Sequence, residues 1–314
     1  VLKNNLKIFI MSEKKEIDYV SKLKNVKKMN KIAREVNAIR NGFISFEKYV
    51  VYLEGKIAHK PVIKPFIKSK KTKNEKVSSN LTDLVIAFDT TGSMTSYINE
   101  VKKHVSDLIP NLFAQNPGLN ISIVAFGDYC DKKDLQIFGK AYQVIDLTSN
   151  EKNLIEFVKN AEKTSGGDAD EFYELVIKKI TEETSWRDKS NKSVLFIGDC
   201  GPHPVGYIHY LLEGSNQINW IEECKKAAGL NILFDTLTIG NTNVNFYKEI
   251  SNITGGICLP FSNSAKTSKV VEATALFRGG SSTNTAFMAR SISDEVTSDP
   301  ELNAVYSMYK TVKK

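Results

Sequence analysis

The sequence has few cysteines, and they are not arranged for metal or redox chemistry. Its four, Cys130, Cys200, Cys224 and Cys258, form no C-x-x-C pair. Structural zinc needs clustered ligands, so a zinc finger or ribbon is excluded. The opening "VLKNNLKIFI" is basic, and its apolar run is too short and broken for a secretory signal. The cysteines therefore read as free thiols in a reducing compartment, and a cytoplasmic location is expected. No stretch approaches the ~18 uninterrupted apolar residues of a membrane span, so no transmembrane segment is expected. A G-x-x-x-x-G-K-[ST] loop is missing, which removes P-loop nucleotide chemistry. A G-x-S-x-G elbow is missing too, and no histidine is obviously paired with a serine.

Charge is unevenly spread. Residues 1–80 carry 20 Lys+Arg against 7 Asp+Glu, while the remainder is acidic, with 23 against 29. A basic arm of this kind suits an anionic surface or an acidic partner. It has few of the interleaved aromatics that stack on bases, so no specific nucleic-acid recognition is expected. Met11, heading "MSEKKE", is a candidate start. In residues 12–40, Ile17, Val20, Leu23, Val26, Met29, Ile32, Val36 and Ile39 recur three or four apart, which predicts an amphipathic helix. Asn41-Gly42 breaks it. The following segment hints at a calcium loop, but counting from Asn37 puts Ile39 at position three and Lys48 at position twelve, where oxygen ligands are needed. Residues 56–80, with Pro61, Pro65 and many lysines, read as an extended linker.

After residue 80 the pattern becomes strand then helix, repeatedly. "DLVIAFD" is continuously apolar, as a strand covered on both faces should be. Further strands are expected at "LNISIVAFGD", "YQVIDLT", "KSVLFIGD", "NILFDTLTIG" and "ICLPF", separated by helical stretches. This predicts an α/β fold, a doubly wound and mostly parallel sheet flanked by helices, preceded by the basic helical arm. The expected organisation is an arm and linker over 1–80, the sheet domain over 81–280, and a polar tail over 281–314 with one helix near its end.

In such a sheet, ligands bind beyond the carboxyl ends of the strands. The first strand is followed by Asp89, Thr91 and Ser93, the second by Gly127 and Asp128. "TSGGDADE" brings Asp168, Asp170 and Glu171, and "GDCGPH" brings Asp199 and His203. Carboxylates that converge on one edge repel and call for a cation. Hard oxygens favour magnesium, with calcium or manganese as alternatives, over zinc.

The first loop, "DTTGS", matches D-x-[ST]-x-S, and the chain here resembles the von Willebrand factor A domain family, whose fold is Rossmann-like. "SGGDADE", "SWRDKSNKSVLFIGDCGPHPVGY" and "FDTLTIGNTNVNFYKEISNITGGICLPF" are similar to segments of the subgroup associated with atypical alpha-kinases. The resemblance spans about residues 81–278, leaving too little chain for a kinase domain. It implies a metal-ion-dependent adhesion site with Asp89, Thr91, Ser93, Asp168 and Asp199 around a divalent cation. Asp168 stands where most of the family has threonine, which adds a carboxylate and weakens recognition of an acidic partner. Asp128, Glu171 and His203 are expected to line the site or support its ligands. The implied function is a metal-dependent protein-binding module rather than an enzyme; a metal-assisted hydrolase and a regulatory subunit of a kinase-like enzyme are the alternatives.

Overall fold

The structure is a computed structural model, and it describes residues 81–280 and 283–311. The basic arm of residues 1–80, with its expected helix and linker, lies outside the described residues. The mixed sheet is built from β1 (Thr82–Asp89), β2 (Leu119–Phe126), β3 (Tyr142–Thr148), β5 (Asn191–Gly198), β7 (Ile232–Ile239) and β8 (Cys258–Phe261). Their order is β3-β2-β1-β5-β7-β8, all parallel except β3, which runs antiparallel to β2. Two short strands, β4 (Asp170–Glu171) and β6 (Gly201–Pro202), pair in parallel as a separate ribbon.

Every residue of β1 is buried, in line with its unbroken apolar run. Its side chains alternate between two cores. Leu84, Ile86 and Phe88 face one, together with α1 (Thr95–Gln115), α2 (Glu151–Asn160) and α6 (Thr267–Arg278). Val85 and Ala87 face the other, with α3 (Tyr173–Glu183), α4 (Trp220–Gly229) and α5 (Val244–Thr254). Caps fix where these helices begin and end. The Asn150 side chain accepts from Asn153 N at the start of α2, and Asn219 accepts from Ile221 N at the start of α4. Gly255, at φ +79°, ends α5 in the left-handed region. A Cβ on the next residue, Gly256, would fall 1.9 Å from the Phe234 carbonyl oxygen, so the "TGG" turn is a close-approach site for the β7 backbone.

The "SWRD" segment clamps the amino-terminal edge of the sheet. Asp83 at the start of β1 accepts from Arg187 Nε (2.6 Å), Arg187 N (2.8 Å) and Ser190 Oγ (2.7 Å). The Arg187 fork continues to the carbonyls of Thr82 and Gly118. These contacts hold β1, the turn before β2 and the turn before β5 together.

The segment expected to be a polar tail differs. Residues 284–311 form α7 (Asn284–Ser291), α8 (Asp294–Thr297) and α9 (Pro300–Thr311). Phe287, Val296, Leu302, Val305, Tyr306 and Tyr309 are buried from these helices. Burying such a side chain contributes about 1.5–3 kcal/mol, enough to dock short helices that are only weakly amphipathic. A buried pair anchors them: Arg278 Nε donates to Asp235 Oδ2 at 2.7 Å, and Tyr309 OH donates to the same oxygen.

Candidate metal centre

The carboxyl-terminal edge of the sheet gathers the acidic loops. β1 ends at Asp89 and its neighbour β5 at Gly198, with Phe88 opposite Ile197, so Asp89 and Asp199 emerge side by side. The β4–β6 ribbon, pairing Glu171 with Pro202, ties the "SGGDADE" loop to the segment after β5. Thr164 pins the start of that loop: its N donates to Thr90 O, and its hydroxyl shares a 2.8 Å hydrogen bond with Thr90 Oγ1. Asp131 accepts from Ser165 N and Gly166 N. Gly166 has φ +67°, and a Cβ there would sit 2.6 Å from Glu171 Oε1. Glycine is therefore required both for the turn and for the approach of Glu171.

Asp89 has no exposed surface. Its Oδ1 accepts from Thr91 N and Thr91 Oγ1, both at 2.7 Å, and its Oδ2 accepts from Tyr173 OH at 2.7 Å. A Cβ at Gly198 would lie 1.9 Å from that tyrosine oxygen, so the glycine before Asp199 makes room for the Tyr173–Asp89 bond. Burial pushes the Asp89 carboxyl up to about 6; the Thr91 and Tyr173 hydrogen bonds oppose this, and Asp199 adds to it. Ser93 is exposed in the 3₁₀ turn Gly92–Met94 that opens α1.

Glu171 is the residue that sequence reasoning placed only at the margin. It is buried, and its Oε2 has no hydrogen-bond partner. Burial, followed by the charges of Asp89, Asp128, Asp131 and Asp168, pushes its carboxyl up to about 10. Asp89, Glu171 and Cys200 each offer a ligand atom within 4.8 Å of the others. Cys200 Sγ also donates to Asp199 Oδ1 at 3.4 Å. Burial, with Asp199 and Asp89 alongside, raises that thiol well above its ordinary value.

Asp168, expected beside Asp89, is placed elsewhere. It is exposed, and it groups with Asp128 and His203 rather than with Asp89 and Glu171. His203 Nε2 lies 2.6 Å from Asp128 Oδ1, and both side chains are buried. Burial disfavours charge on His203, but the Asp128 hydrogen bond and charge outweigh it and raise the imidazole above its ordinary value. Glu174, whose carboxyl burial pushes up to about 7, accepts from Tyr129 OH and His203 N and closes the network beneath. Tyr173 and Tyr207 were not legible as site residues, because an aromatic at the start of a helix or in a loop reads equally well as core.

Among the described residues, neither Asp89 nor Glu171 forms an ion pair with lysine or arginine. Buried carboxylates without a cationic partner, one with an unsatisfied oxygen, fit a divalent cation. Thr91, whose hydroxyl meets Asp89, and Asp199, whose charge acts on it, border this pair with further oxygens of the kind hard cations take; the half-buried Cys200 thiol is the departure from such a set.

The family model for the von Willebrand factor type A domain matches residues 83–273. A curated relative, an ariadne-like RING finger protein of Acanthamoeba polyphaga mimivirus, is 26% identical over 191 residues, covering 55% of this chain and 18% of that protein. The chain thus spans under a fifth of that relative's length. Among solved structures, the pilus adhesin SpaC of Lactobacillus rhamnosus GG covers 64% of this chain and 30% of its own at 12% identity and a TM-score of 0.48. Proximal thread matrix protein 1 of the mussel byssus, in a structure with a zinc-occupied metal-ion-dependent adhesion site, covers 62% of this chain and 47% of its own, with 12% identity and a TM-score of 0.45.

Proposed function

Because the chain belongs to the von Willebrand factor type A domain family, we propose that it is a metal-ion-dependent protein-binding module. The observation that carries this reading is the pairing of Asp89, fully buried and without a cationic partner, with Glu171, whose buried Oε2 is unsatisfied. Thr91, Ser93, Glu171 and Asp199 would hold the ion, with Asp89 binding directly or through water. Magnesium is the ion proposed, since the donors are mainly carboxylate and hydroxyl oxygens.

A bound cation supplies an open coordination position to an oxygen of the partner. The chain's own groups set how strongly. With Asp89, Glu171 and Asp199 ionised, three carboxylates surround a divalent ion, and its attraction for an acidic partner residue is reduced. A neutral oxygen, such as a backbone carbonyl or an amide side chain, then becomes the better ligand. Tyr173 orients Asp89 from below. The Thr90–Thr164 and Asp131–Ser165 contacts hold the loop that delivers Glu171. Among the described residues, no helix is long and apolar enough to cross a membrane.

The test is affinity capture with the intact chain, in magnesium and in EDTA, beside an Asp89→Ala variant. Proteins retained in magnesium should be lost in EDTA and with the variant. The same proteins retained in all three conditions would show that binding does not use the ion.

A further inference from the structure

A second group of ligands lies beside the Asp89 edge and shares none of its members. Asp128, Asp168 and His203 each offer one ligand atom within 4.8 Å of the others. They come from three separate segments: the end of β2, the "SGGD" loop and the stretch after β6. Asp128 is fully buried, and its two oxygens have different fates. Oδ1 meets His203 Nε2 at 2.6 Å, while Oδ2 has no hydrogen-bond partner. A buried carboxylate oxygen left unsatisfied costs free energy on the scale of its lost desolvation and needs an explanation.

That oxygen lies beneath the loop that carries Asp168 and has almost no exposed surface. A Cβ at Gly167 would stand 3.0 Å from Cys130 Sγ and 3.7 Å from Asp128 Oδ2, so the glycine before Asp168 lets the loop pack closely over both. Asp168 is exposed and forms the outer wall; its Oδ2 accepts from Tyr207 OH and its Oδ1 from Asp170 N. The His203 ring is fixed by stacking on Tyr207, 3.7 Å between centroids and 17° between planes. The histidine backbone is fixed in turn by Glu174. The imidazole is thus held with Nε2 facing Asp128.

We propose that Asp128, Asp168 and His203 form a second cation site, selective for a first-row transition-metal ion of the zinc class. One imidazole nitrogen with two carboxylates favours such an ion over magnesium or calcium, which take oxygen alone. The ion takes the place of the proton between His203 Nε2 and Asp128 Oδ1, and that proton is released to solvent. Asp128 Oδ2 and an Asp168 oxygen supply further ligands, and solvent reaches the ion from the Asp168 side. The ion ties the three segments together next to Glu171, whose carboxyl senses Asp128 and Asp168.

Zinc titration of the intact chain tests this, with its histidines ¹⁵N-labelled and saturating magnesium present. The chain has four histidines, so His203→Gln identifies the His203 ring signals. One equivalent of zinc should move those signals in the wild type and in Ser93→Ala, which alters only the first site. Asp168→Asn, at an exposed position, should weaken the response at least about tenfold, the lower end of what even an outer-shell partner costs. Ring signals that stay in place at saturating zinc would overturn the proposal. So would an equal response in Asp168→Asn, or a response lost in Ser93→Ala, which would assign the zinc to the Asp89 edge. None of these readouts depends on magnesium-dependent partner capture, so this site stands or falls apart from the proposed function.

Discussion

Strand β1 has an aspartate near each end, and both are fully buried. At the amino-terminal end, Asp83 is met by the Arg187 guanidinium, a backbone N–H and the Ser190 hydroxyl. At the carboxyl-terminal end, Asp89 is met by Thr91 and Tyr173 alone and sits beside Glu171 and Asp199. One end is neutralised by the chain itself. The other concentrates like charge and is left with an unsatisfied oxygen on Glu171. Burial is the same at both ends, so the presence of a cation is what separates a structural carboxylate from one arranged for a ligand.

Removing the internal cation should have the largest effect. Arg187→Ala leaves Asp83 buried and unpaired, and the expected loss is about 3 kcal/mol in urea unfolding. A loss under about 1 kcal/mol would mean that the clamp contributes no more than a surface pair. Supplying the external cation should have an effect nearly as large. At a magnesium concentration 100 times the dissociation constant, the folded state gains about 2.7 kcal/mol by mass action. Asp89→Asn should abolish the corresponding rise in melting temperature; a rise of equal size in the variant would place the ion elsewhere.

The pH dependence separates the ends more finely. Asp89 and Glu171 have folded-state values of about 6 and about 10, both above the ordinary carboxylate range. Raised carboxyls contribute stability that is fully present below their unfolded values and is lost as pH rises through the folded ones. In EDTA, the wild type should therefore lose more melting temperature between pH 5 and pH 8 than Glu171→Gln does. Magnesium should flatten that difference. A wild type that gains stability relative to Glu171→Gln over this window would reverse the sign. The smallest effect is expected from Asp89→Asn in EDTA. Removing a repelling charge should leave stability unchanged or raise it, within about 1 kcal/mol. Loss on the scale of Arg187→Ala would make the two ends equivalent.

Much of this was legible in the sequence, and the reasons are local. Continuous apolar strands ending in Asp89, Phe126 and Gly198 announced a parallel sheet with its loops on one edge. The D-x-T-x-S spacing pointed to the loop after β1, where Asp89 is held by Thr91 and lies close to Glu171. The third carboxylate was harder. "SGGDADE" carries Asp168, Asp170 and Glu171, and spacing alone does not say which turns inward. The choice is made by the β4–β6 ribbon and by Gly166, whose missing side chain admits Glu171. The helices after residue 283 were obscured for a different reason. Only one helix is expected there, and α9 has the spacing for it in Leu302, Val305, Tyr306 and Tyr309; α7 and α8 are too short to show a period, and the burial of these helices depends on α6 and on one another, a tertiary effect that sequence periodicity does not carry.

The most direct test is a structure determined in saturating magnesium. An ion at the carboxyl end of β1 is the expected result, with oxygens from Thr91, Ser93, Glu171 and Asp199 at about 2.0–2.1 Å and Asp89 bound directly or through water. Magnesium absent from that edge, with Glu171 Oε2 still unsatisfied, would contradict it.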